Sequence, residues 1–312
     1  MIRTVFVLGE LNVDAIISGS SVQPEPNKEK FVDDFSLTLG SSSAITACRL
    51  AQLGLNVYFV SVVGNDDFGM YCIERLKYFG VNTEFVRIDP QEKTGVTISL
   101  STPTDRALLT FMGSICKLAK TLVPDSIFEQ ADHLHFGSLY LQLGMQREWA
   151  ALFAKAKECG ITTSFDTGWD PQEQWKRPLI NELLCVTDLF LPSKEEVLHI
   201  YDCSDLAELA EAIPIRYGSV VVKCGKQGSR MLTPEGEWHH VPGFDVAAVD
   251  MTGAGDSFNA GIIFSFLEGK PPLEQLIFGN ACGALSTQGI GGTGGMLDVR
   301  QARELITSQR ME

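Results

Sequence analysis

Short apolar runs that hand over to helically spaced apolar residues, and back again, recur along almost all of this 312-residue chain. Residues 4–9 make one such run, closed by glycine, and residues 41–53 follow with Ala44, Ala47, Cys48 and Ala51 at helical spacing before Gly54. Residues 57–63 predict a second buried strand, and residues 66–79 a helix closed by Gly80. The alternation returns as strand 133–136, helix 145–158, strand 162–166, strand 189–191, helix 194–201 and strand 219–224. A strand cannot reach a parallel neighbour through a tight turn, so the intervening helices predict a mainly parallel sheet covered on both faces. Ligands of such sheets gather at the carboxyl ends of the strands.

Two segments break the pattern. Residues 18–39 carry Pro24 and Pro26 and then alternate through Phe31, Val32, Phe35, Leu37 and Leu39. Residues 93–113 alternate through Val96, Ile98 and Leu100, then Leu108, Leu109 and Phe111. Both predict antiparallel strands with one exposed face. The chain therefore divides into an α/β domain (1–17, 40–92 and 114–312) and a β-sheet lid (18–39 and 93–113). Open edges and an apolar outer face would suit the lids to homodimer contact.

A net charge of −14 argues against nucleic acid or an anionic membrane as partner, though not against a small anion held by local dipoles. Eight cysteines without a C-x-x-C spacing, most of them within apolar runs, predict buried reduced thiols rather than zinc or disulfides. There is no basic leader before an apolar stretch and no run near the ~20 apolar residues that span a bilayer. A cytoplasmic protein is expected.

One stretch carries chemistry. Residues 244–249 predict a strand entering a turn, Thr252-Gly253-Ala254-Gly255-Asp256, followed by an apolar helix from Phe258. A glycine turn at the positive end of a helix leaves backbone N–H groups free for an anion. An acid at the mouth of that site repels the anion, unless it takes a proton from a nucleophile attacking a phosphorus held there. A helix-capping acid is the alternative.

Residues 250–261 resemble the C-terminal signature of the ribokinase-like (PfkB-type) carbohydrate kinases, whose aspartate is the catalytic base. Other stretches resemble the same family in its order: residues 9–14 its first strand and sugar-binding Asn-x-Asp, and residues 40–54 its N-terminal signature helix. Residues 64–69 match its Gly-Asp-Asp-x-x-Gly turn, residues 192–196 its Asn-x-x-Glu, and residues 223–228 its nucleotide-contacting Gly-x-x-Gly turn. The resemblance implies a three-layer α/β/α domain with a small β-sheet lid, and transfer of phosphate from ATP with Mg2+ to a sugar hydroxymethyl group. By this likeness Asp256 is the base, with the backbone of Gly253, Ala254 and Gly255 as anion hole. Asn12, Asp14, Gly40, Ser41, Arg106 and Asp166 are substrate candidates. Ser193, Lys223, Gly225, Gly228, Thr252, Gly255 and Asn280 are nucleotide candidates. Glu196 would act on magnesium through water, and Asp250, with Gly291, would lie by a monovalent cation such as K+. An unperturbed Asp256, near ~3.9, would suffice as base because a loose transition state needs little early activation.

The chain also departs from the family. Gly40 is followed by Ser41 rather than a second glycine, Ile45 stands where a sugar-contacting asparagine is expected, and Ser193 and Lys194 replace Asn and an acid. Isoleucine neither donates nor accepts, which puts ribose as substrate in doubt. These departures motivate a second reading, a non-catalytic sugar or nucleotide sensor on a kinase scaffold. A dinucleotide-dependent dehydrogenase lacks its G-x-G-x-x-G after the first strand. His133 and His135 share one strand face without a third ligand and are read as structural, His239 and His240 as pointing apart. Trp169 and Trp175 are read as loop packing, Lys117 and Lys226 as surface charges.

Overall fold

The computed structural model describes residues 2–102, 106–213, 216–295 and 297–309. Thirteen strands run along these residues: β1 (Thr4–Leu8), β2 (Asn12–Ser18), β3 (Asp34–Leu39), β4 (Asn56–Gly64), β5 (Val86–Asp89), β6 (Gly95–Ser101), β7 (Arg106–Phe111), β8 (His133–Phe136), β9 (Thr162–Phe165), β10 (Leu189–Phe190), β11 (Ser219–Lys223), β12 (Ser229–Leu232) and β13 (Trp238–Val241). Nine form one sheet in the order β13-β12-β11-β10-β9-β8-β1-β4-β5. From β5 to β11 every pairing is parallel; β11, β12 and β13 meander antiparallel at one end. Helices cover both faces, as the alternation predicts.

Each face has its own apolar layer. On one, Val5, Val7 and Phe59 pack with Ala47 and Leu50 of the helix Ser42–Gln52 and with Ile262 and Ile263 of the helix Ala254–Leu267. On the other, Phe136 stacks on Trp149 at 3.9 Å between ring centres, and Phe165 stacks on Phe190 at 4.5 Å. The helix Ala254–Leu267 is apolar nearly all round because it is sandwiched between Ser42–Gln52 and Pro272–Ser286. It is therefore held between those two helices.

The second sheet has the order β3-β2-β6-β7. Register puts Phe35, Leu37, Ala15, Ile17, Ile98, Leu100 and Leu109 on one face and Asp14, Ile16, Thr97, Ser99 and Thr110 on the other. This sheet includes β2, residues that the sequence reading left mostly in the larger domain. Residues 244–249, read as a strand, form none; Val249 and Asp250 donate their N–H groups to the carbonyl of Thr287 instead. The cysteine expectation needs correcting as well: all eight thiols are free, but only Cys48, Cys72 and Cys282 are buried, and Cys159 and Cys185 are exposed. His133 and His135 are wholly buried, and both hydrogen-bond Ser164 of the adjacent strand, at 2.7 and 2.8 Å. Burial holds both imidazoles neutral, His135 down at about 4. They are structural.

Candidate active site

The carboxyl end of β1, the first half of β2, the polar face of the small sheet and the Gly253 turn enclose a cavity of about 390 Å³. Asn12, Asp14, Ser41, Thr252, Gly253 and Asp256 line it, as do Glu10, Ser42, Thr97, Thr110 and Trp169. β2 presents Asn12 and Asp14 on its inner face because they are two residues apart. The Asn12 amide then donates to Asp14 Oδ1 at 3.1 Å. A β-carbon on Gly40 would stand 2.2 Å from Asp14 Oδ1, so only glycine lets the chain pass behind this pair. Ser41 caps the helix Ser42–Gln52 with a φ of 74°, a strained value for a residue with a side chain. Its hydroxyl accepts from Ala44 N and donates to the Glu10 carbonyl at 2.6 Å.

At the other wall the helix Ala254–Leu267 begins. Gly253 has φ 75°, and a β-carbon there would come within 2.6 Å of Gly292, so the turn tolerates nothing larger. Asp256 lies in the first helical turn and faces the cavity, where its Oδ1 accepts the Ser42 hydroxyl at 2.5 Å. Burial, with Asp166 and Glu10 close by, pushes its carboxyl up to about 7, while the Ser42 hydrogen bond and Lys223 pull the other way. The expectation of an unperturbed acid is thus overturned. Sequence cannot show that carboxylates from residues 10, 166 and 256 come close enough to act on one another.

Beside the turn is a buried charge cluster. Lys223, at the end of β11, donates to Asp166 at the end of β9, and Asn259 donates to the same Asp166 oxygen at 2.6 Å. Burial opposes charge on both partners, yet each holds the other ionised: Asp166 is lowered and Lys223 raised. A β-carbon on Gly255 would be 3.8 Å from Lys223 Nζ, so the ammonium sits beside the glycine turn. Ser193 pairs with Lys223 across the sheet and caps the helix Lys194–Tyr201 reciprocally with Glu196, at 2.8 and 3.2 Å. Burial and the nearby Asp166 raise the Glu196 carboxyl. Ser193 in place of asparagine thus retains a full capping role.

Not every candidate converges. Asp166 does not line the cavity but anchors Lys223. Asn280 donates to the carbonyls of Val241 and Pro242, at 3.2 and 3.1 Å, and staples its helix to the end of β13. Gly225 and Gly228, both with positive φ, bracket a short 3-10 turn between β11 and β12, just after Lys223. Arg106 opens β7, and its side chain lies outside the described residues. Asp250 binds the Thr252 N–H and hydroxyl and the Gly291 N–H. Trp169 meets Trp175 and His199 edge to face, as loop packing predicts, but it is 49% exposed and also lines the cavity. Reading by motif missed Glu10, Ser42 and Asn259. Ser42 had a signal, since residues 42, 45, 46 and 49 share one face of a helix.

The match to known proteins agrees with this geometry. A model of the pfkB family carbohydrate kinases covers residues 3–298. The chain is 31% identical over 293 residues to an ATP-dependent ribose-1-phosphate kinase of Halopiger xanaduensis, spanning 92% of both, and 26% identical over 294 residues to a ribokinase of Haemophilus influenzae, again 92% of both. A candidate Ribokinase II from E. coli, solved in complex with ATP and Mg2+, superposes with a TM-score of 0.83 at 26% identity over 99% of this chain and all of that one. The chain belongs to the PfkB family and is a carbohydrate kinase.

Proposed function

We propose that the protein transfers the γ-phosphoryl group of ATP to a hydroxymethyl group of a sugar or sugar-like substrate, whether ketose, aldose, sugar acid or nucleoside. The observation that carries this reading is Asp256, a carboxylate poised between a polar cavity and the N-terminus of a helix. A sugar on Asn12 and Asp14 brings one hydroxyl to Asp256, which accepts its proton as the oxygen attacks phosphorus. The N–H groups of Gly253 and Gly255 and the Lys223 ammonium stabilise charge on the transferring group, whereas the Ala254 N–H, expected in the same role, is already given to the Met251 carbonyl at 3.2 Å. The small sheet acts as a lid that keeps water from competing with the alcohol. A sensor would have no use for a base so placed.

ATP and Mg2+ occupy the related E. coli structure. The residues present fit them: Lys223, which donates to Asp166, and the Gly225–Gly228 turn would take the nucleotide, and Glu196, whose carboxyl feels both Asp166 and Lys223, would act on the metal's water shell. Magnesium keeps most of its water and binds mainly phosphate oxygens, so it needs few protein carboxylates as direct ligands. A coupled ADP-release assay over sugars, sugar acids, phosphorylated sugars and nucleosides tests the proposal; no release with any of them sinks it.

Two expected results follow from the geometry. As Asp256 must be ionised to act, kcat/KM should fall below a pH of about 7. Ser42→Ala removes a donor that favours the ionised form, so that acid limb should move up by about one unit. A pH–rate series on both proteins checks it. The lid's outer face carries exposed Phe35, Leu109 and Phe111, the area we assign to a homodimer contact. Light scattering should give twice the chain mass for the parent and the chain mass for Leu109→Asp.

A further inference from the structure

Arg49 is completely buried, which is rare for an arginine. It projects from the helix Ser42–Gln52 into the glycine-rich loop 289–295. Nη1 donates to the Gly295 carbonyl at 3.0 Å and to Gln52 Oε1 at 2.9 Å; Nη2 donates to the carbonyls of Gly294 at 2.5 Å and Gly292 at 3.2 Å. That loop is the back wall of the anion turn, since Gly292 leaves no room for a β-carbon on Gly253. One turn earlier on the same helix face Ile45 packs on Gly292, and one turn before that Ser42 holds Asp256.

The residues by Asp250 and Gly291 fit a bound monovalent cation poorly. Both Asp250 oxygens already accept, one from Thr252 and one from Gly291 N. Three carbonyls of the loop face a guanidinium, whose charge repels a second cation placed among them. We propose that Arg49 is a positioning residue, the fixed cation that locks loop 289–295 behind the Gly253 turn, so that the turn holds its shape without a bound monovalent ion.

This inference rests on the Gly253 turn receiving the phosphoryl group, and the experiment separates the two. The parent, Arg49→Met and Arg49→Lys are compared in equal concentrations of KCl and choline chloride, each first shown to be folded by circular dichroism. The parent should have the same melting temperature in both salts and a kcat within about twofold, as no specific ion is bound. Arg49→Met should lose about 10²-fold in kcat and bind ADP more weakly by calorimetry, with KM for the sugar unchanged, because a loosened wall misplaces the turn. Arg49→Lys, which keeps the charge but not the planar fork, should recover part of that loss. A potassium-specific rise in the parent's melting temperature or turnover overturns the proposal, and so does a folded Arg49→Met with the parent's kcat and ADP affinity. If Arg49→Met does not fold, the parent in two salts and Arg49→Lys still decide. A parent that neither binds ADP nor turns over any sugar instead defeats the functional reading, a result seen before any variant is made.

Discussion

Asp256→Asn should reduce kcat by about 10²- to 10⁴-fold, the span expected when a positioned general base is lost, while ATP affinity stays near that of the parent. Asparagine keeps the size of the side chain and can still accept from Ser42, so the cavity retains its shape. The same variant should show a second effect with pH. The carboxyl titrates at about 7 in the folded chain but near ~3.9 when unfolded, so the folded form binds the extra proton. Its stabilising contribution is complete below the unfolded value and fades as pH rises through 7. Asp256→Asn should therefore melt above the parent at pH 8, with the gap closing towards pH 4. Steady-state kinetics and melting curves across pH check both; unchanged turnover would remove Asp256 from the role of base.

Lys223→Met should be the most destabilising single change at the site. It strands Asp166, which is 4% exposed and would keep only Asn259 and the Gly168 N–H as partners. Breaking one side of a buried ion pair costs about 3–5 kcal/mol, a large part of the ~5–15 kcal/mol that holds a typical domain together. Urea unfolding at neutral pH measures it. Lowering the pH should narrow the gap, because the stability that Asp166 draws from Lys223 is present above its unfolded value and lost as pH falls through its depressed folded value. A double variant, Lys223→Met with Asp166→Leu, should recover stability but not activity. Equal unfolding midpoints for the parent and Lys223→Met would contradict the buried pair.

Much of this was legible from sequence because it is local. The apolar runs gave the parallel sheet, and Gly253 marked a helix start that only glycine could make. What escaped is non-local. No spacing rule joins Ser42 to Asp256, 214 residues apart, or Lys223 to Asp166, 57 apart. Asp166 ends a strand at the ligand edge, and sequence cannot say whether it then meets sugar or lysine. Residues 244–249 are apolar enough for a strand, but no neighbouring sheet edge receives them. β2 alternates polar Asn12 and Asp14 with apolar Val13 and Ala15, but Ile16 faces the cavity too and breaks the pattern after four residues.

The path of the chain between β3 and the helix Ser42–Gln52 has a mechanical consequence. β3 ends at Leu39 in the small sheet, and Ser42, the partner of Asp256, is three residues on. Three residues span roughly 10 Å when fully drawn out, leaving little slack. Any swing of that sheet towards a bound sugar must therefore be taken up at Gly40 and Ser41 or be pulled through to the hydroxyl that orients the base. In the proposed mechanism, substrate capture and readiness for proton removal would be tied by one short leash of backbone.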